Sequence, residues 1–118
     1  MKYKTAAAAI CAMLPLGAPE ARADAVCVLN SHLMWQAVGL REQGYSQQQT
    51  AQTLAARIAD AASNGPGPLA ERQHIARSIG EAATEILTYA YTIQLRPGRD
   101  NASIAADVIY LMCMGGDL

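Results

Sequence analysis

The sequence predicts an all-α fold, a compact bundle of about four amphipathic helices closed by one disulfide. Apolar residues recur at steps of three and four in four separate segments, and no segment shows the strict alternation of a half-buried strand. Short joints bearing Gly or Pro separate the segments, which favours helix packed on helix.

The first 23 residues stand apart from that bundle. Met1-Lys2-Tyr3-Lys4 is basic, Thr5 to Gly17 is a short apolar stretch, and Ala21-Arg22-Ala23 has the A-x-A form of a cleavage site before Asp24. A stretch of about 13 residues broken by Pro15 falls short of the roughly 20 that span a bilayer. The pattern predicts a cleaved signal peptide over 1–23, a single helical domain over 24–118 and a periplasmic or secreted product. Cys11 is not read as a lipid-modified cysteine, because Ile10 stands where a small residue should precede it. Removing 23 of 118 residues leaves 95, enough for one domain with a modest core.

From Asp24 to Gln43, Val26, Leu29, Leu33, Ala37 and Leu40 trace one helix face, widened by Cys27, Met34 and Val38. Gly44 is placed to end this helix in a left-handed conformation, and Ser46-Gln47-Gln48-Gln49 has the form of a capping box for the next. Ala51, Leu54, Ala55, Ile58 and Ala62 form a second stripe. Ser63-Asn64-Gly65-Pro66-Gly67-Pro68 then breaks the chain. The longest periodic segment carries Ile75, Ile79, Ala82, Ala83, Ile86, Leu87, Ala90 and Ile93 despite Gly80. After Arg96-Pro97-Gly98-Arg99, Asp100 can cap a last helix whose Ile104, Ala105, Val108, Ile109 and Met112 are expected to face inward.

Cleavage would remove Cys11 and leave Cys27 and Cys113, near the two ends of the mature chain, in a compartment where disulfides persist. Two cysteines allow one pairing, and closing so long a loop contributes on the order of 4 kcal/mol. A zinc site or a reactive thiol are the other readings, but this spacing forms neither a C-x-x-C pair nor a closed four-ligand set.

After cleavage, six arginines and no lysine face nine acidic residues, a net charge of −3. Such a chain offers no basic footprint for nucleic acid or for an anionic membrane surface. No segment after the signal reads as a membrane anchor, and nothing in the composition calls for a cofactor.

Candidate metal ligands lie on the long helix, where Glu71, His74, Ser78, Glu81 and Glu85 follow helical spacing. Glu71-x-x-His74 matches the ligand spacing of carboxylate-bridged di-metal bundles, but a second Glu-x-x-His is missing. The stripe therefore reads as a solvated face with His74, Glu71 and Glu81 as weak metal candidates. His32 reads as a surface or boundary histidine that would need tertiary contacts to join Cys27 or Glu42. Ser31 and His32 are adjacent and point about 100° apart on a helix, which is not a catalytic arrangement. No enzyme is expected. Trp35, Tyr89, Tyr91 and Tyr110 are the candidate partner surface, with packing at the bundle edges as the plainer reading. Arg41 suits the C-terminal dipole of the first helix. Asn101-Ala102-Ser103 matches a glycosylation sequon, a short match that carries no weight alone.

The order of features, with an export signal, Cys27, Arg41-Glu42-Gln43-Gly44, a tyrosine-bearing long helix, Pro97 and Cys113, resembles small exported helical proteins of Gram-negative bacteria that pair an early and a late cysteine. Most of these have no assigned function. The resemblance covers the whole mature chain and rests on Cys27, Gly44, Tyr91 and Cys113. It implies a periplasmic helical protein without catalytic residues. The chain looks less like the periplasmic acid-stress chaperones, which are richer in lysine. The function expected from these observations is binding of another periplasmic or secreted protein, as an inhibitor, immunity-like or chaperone-like module. A pocket for a small molecule or metal is the alternative.

Overall fold

The computed structural model describes the backbone of residues 19–118 and the side chains from Asp24 onward. The expected signal peptide and Cys11 lie outside the described residues, apart from the backbone of 19–23, which opens the first helix. Four helices follow in order: α1 (Pro19–Glu42), α2 (Gln47–Asn64), α3 (Leu69–Thr92) and α4 (Asn101–Met114). No strand occurs among the described residues.

The centre of the bundle is α1. It packs most extensively on α4, then on α3, and only lightly on α2, which leans on α3. Every residue from Leu29 to Met34 is buried. Three of these, Asn30, Ser31 and His32, are polar, so the first helix is not the amphipathic surface helix its apolar stripe predicts. A helix covered on nearly every side is a core helix. The Ser31 hydroxyl satisfies itself locally, donating to the Val28 carbonyl at 2.6 Å.

Cys27 and Cys113 form the predicted disulfide, with Cα atoms 5.4 Å apart, across a sequence separation of 86 residues. That link and the small side chains of α4 determine which way α4 faces. Ala102, Ala105, Ala106 and Ile109 are buried, on the side of the helix that carries Cys113. Alanines let the α4 backbone approach α1 closely, as the short span between the two cysteines requires. The expected inward positions of Ile104 and Val108 are therefore corrected: they are 53% and 50% exposed, and Leu111 is 69% exposed. Hydropathy could not choose between two apolar sides of one helix; side-chain size and the disulfide do.

Both ends of the α1–α2 joint follow the local signals. Gly44 adopts φ +96, and Tyr45 N donates to the Leu40 carbonyl at 3.0 Å while Gly44 N donates to Arg41 at 3.0 Å, the double bond of a Schellman end. The capping box is complete: Gln49 N donates to Ser46 Oγ at 3.1 Å, and Ser46 N donates to Gln49 Oε1 at 2.9 Å. On α2, Leu54 and Thr50 are buried and Ala55 is exposed, correcting the predicted stripe at Ala55. The α3 stripe is the most faithful to prediction, with Ile75, Ile79, Ile86, Leu87 and Ala90 all buried. Arg72 donates to the Gly65 carbonyl and ties the first turn of α3 back across the Gly-Pro loop.

Arg41 serves a helix other than its own. Its Nη1 donates to the carbonyls of Ala90 and Ile93, each at 2.8 Å, and its guanidinium lies over the Tyr91 ring, 5.7 Å from the centroid. These acceptors belong to the C-terminal end of α3, where carbonyls lack intrahelical partners and a cation is favourable.

Candidate functional site

A candidate site among the described residues lies where α3 passes through a short loop into α4. Pro97 and Gly98 occupy the middle of a turn in which Arg99 N donates to the Arg96 carbonyl at 3.3 Å. Gly98 has φ +74, the conformation that the third residue of a type II turn requires, and Pro97 presets the second. The Asn101 carboxamide then grips Arg96 from both sides: Oδ1 accepts from Arg96 N at 3.0 Å, and Nδ2 donates to the Arg96 carbonyl at 3.1 Å. Nδ2 also reaches Glu42 Oε2 at 3.3 Å, linking the loop to the end of α1. The sequon asparagine is thus a structural brace. Asp100 caps α4 through Ser103, accepting from its backbone N at 3.2 Å and its hydroxyl at 2.9 Å.

This loop closes one end of a half-open groove of about 500 Å³ between the C-terminal part of α3 and the flank of α4. Its apolar lining includes Met34, Ile93, Ala105, Ile109 and Met112, and Arg96 and Arg99 stand at the loop end. Tyr89 also lines it and donates to Glu85 Oε1 at 3.3 Å. The Glu85 carboxylate raises the Tyr89 hydroxyl above its ordinary pKa, with lesser contributions from desolvation, that hydrogen bond and Asp117. Exposed Ile104 and Val108 line the groove, and exposed Leu111, three residues on, continues their row along α4, with exposed Met114 beyond.

The other predicted residues are dispersed. The Tyr110 hydroxyl donates to Asp24 Oδ1 at 2.6 Å near the start of α1. Tyr91 serves the opposite end, donating to the Tyr45 carbonyl at 2.8 Å beside the Ser46 carbonyl at 3.1 Å. Asp24 and Glu42 are separated by about 27 Å of helical rise, so these tyrosines do not share one patch. Trp35 is half-buried and packs on the core. Of the four aromatic candidates, Tyr89 is the one that lines the groove.

The candidate metal set does not assemble. His74 and Glu81 are exposed and Glu71 is half-buried. Among the described residues no group of three or more His, Cys, Asp or Glu side chains is placed to hold a metal ion. Ser78 donates to the His74 carbonyl at 3.1 Å, an ordinary bond along the helix. His32 is 2% exposed, a correction to its expected surface or boundary position, and burial lowers its pKa. With Cys27 held in the disulfide, a Cys27–His32 pair has no free thiolate as nucleophile.

Sequence reasoning missed the groove because it assigned Ile104 and Val108 to the core. The available signal was that α4 is apolar on two sides, one side small and the other large. No helix among the described residues is long and apolar enough to cross a membrane. No family model, curated protein or solved structure matches the chain.

Proposed function

We propose that this is an exported, non-catalytic binding module that docks another periplasmic or secreted protein on the outer side of α4. The observation that carries the reading is the exposed row Ile104, Val108 and Leu111. These side chains occupy one side of a helix whose other side is already buried against the bundle. Helix α4 is apolar on two sides, and here the side with the larger residues remains open, with Asp107 beside it. A disulfide-bonded framework supports rigid presentation of that side, since little backbone ordering remains for binding to offset. The basic start, apolar stretch and A-x-A pattern of the first 23 residues support export.

The test is affinity capture from envelope extract, with the oxidised protein and its Leu111→Asp variant as paired baits. Exposed Leu111 tolerates the change without loss of packing, so a partner retained by the wild type at near-equal stoichiometry and lost from the variant is expected. A partner captured equally by both baits places the docking surface elsewhere, and two empty baits remove the reading. A second reading, a small-molecule-binding protein, is favoured by one specific observation, the groove beside the α4 row.

A further inference from the structure

We propose that the groove between α3 and α4 holds a single-chain anionic amphiphile, a medium-chain carboxylate, with its head against Arg96 and Arg99 and its tail running toward Met112. This rests on the small-molecule reading and specifies its chemistry.

The size fits. A volume of about 500 Å³ falls within the usual range for small-molecule sites, which runs from roughly 300 to 1,000 Å³. From Asn101 to Met112 the flank of α4 rises about 17 Å, a span suited to an extended single chain rather than a compact polar metabolite. The walls along that span are apolar: Met34, Ile93, Ala105, Val108 and Ile109 bring no charge.

The loop end suits an anionic head better than the Tyr89 end does. Neither the Arg96 nor the Arg99 guanidinium has a hydrogen-bond or ion-pair partner among the described residues. Asp100 and Glu42 lie in the same region and keep their charge while accepting hydrogen bonds from Ser103 and Asn101, so the head must seat on the guanidiniums and clear of these two carboxylates. The Pro97-Gly98 turn and the Asn101 brace hold the backbones of both arginines in one short loop, which reduces the ordering that an anion would have to impose. Two guanidiniums suit a carboxylate, whose two oxygens accept their parallel donors. Toward Tyr89, by contrast, Glu85 and Asp117 act on the phenol strongly enough to raise its pKa, and an anionic head there would be repelled. The groove therefore favours one orientation of a molecule with one charged end.

The experiment titrates dodecanoate, below its micellar concentration, into the oxidised protein, following methyl NMR signals of Ile104, Val108 and Met112 together with calorimetry. Dodecanol and dodecyltrimethylammonium serve as neutral and cationic comparisons. Dodecanoate is expected to bind saturably, to shift the groove methyls and to outcompete both comparisons. The Arg96→Gln/Arg99→Gln variant should weaken it by at least about tenfold while leaving dodecanol unchanged. Val108→Asp, at an exposed site that folding does not depend on, should block dodecanoate. If the methyls shift equally with all three probes, or if the arginine variant binds dodecanoate as tightly as the wild type, the carboxylate assignment is wrong while the small-molecule reading stands. If the groove methyls respond to none of the three, both are wrong.

Discussion

The hydroxyls of Thr50 and Tyr91 meet 2.5 Å apart beneath the joint between α1 and α2. Thr50 is fully buried, and Tyr91 uses its own proton toward the Tyr45 and Ser46 carbonyls, so Thr50 is assigned as the donor to the phenol oxygen. One phenol thereby satisfies a buried hydroxyl and holds the loop that carries the α2 capping box. This explains why the long helix bears a tyrosine at that position, with no partner surface required.

Tyr91→Phe should cost about 1–3 kcal/mol, since it strands the buried Thr50 hydroxyl. Thr50→Val should cost less, because Tyr91 keeps its carbonyl acceptors. Denaturant unfolding of both single variants and the double variant checks the relationship. The double variant should lose less than the sum of the singles, and strict additivity would contradict a direct bond.

The disulfide joins the central helix to the last helix, and its loop encloses most of the described chain. Reduction should remove about 4 kcal/mol of stability, lowering the melting temperature by roughly 15 °C or more for a domain of this size. Calorimetry with thiol titration checks both the loss and the reduction. An unchanged melt with the thiols shown to be free would refute the staple.

His32 gives a pH signature. Burial lowers its folded-state pKa, so the unfolded chain binds the proton more readily. The folded state then has its full advantage above the ordinary histidine pKa of about 6.5 and loses it as pH falls through the depressed value. Melting temperature should therefore decline from about pH 6.5 downward, and the decline should be shallower in His32→Gln. Parallel slopes in the two proteins would contradict a buried neutral imidazole.

The orientation of α4 can be tested by size. Ala106→Leu should cost about 1–3 kcal/mol by forcing α4 off α1, whereas Ile104→Ser should stay within about 0.5 kcal/mol of the wild type. Urea midpoints decide it; the reverse order would restore the orientation predicted from hydropathy.

Local signals in the sequence were the most readable. Gly44, the Ser46–Gln49 box, the Asp100 cap and the α3 isoleucine stripe each act over a few residues, and each occurs as its chemistry predicts. Long-range choices were harder to read. That α1 would be surrounded, burying Asn30 and His32, depends on where α3 and α4 come to rest, which no local period encodes. Asn30 shows the consequence, since its amide donates to Cys113 Sγ at 3.6 Å across 83 residues. The candidate groove was hidden for the same reason: Ile104 and Val108 look like core residues until the alanines opposite them are seen to be the side that packs. Arg41 was correctly read as a helix-end cation, but tertiary approach gave it the carbonyls of α3.

The most direct test of the docking account is site-specific photo-crosslinking in the living envelope, with the photoreactive residue at position 111 on the outer side of α4 or at exposed position 55 on α2. The account predicts a discrete crosslinked protein from position 111 and none from position 55. A crosslink from position 55 alone, or from neither position, would contradict it.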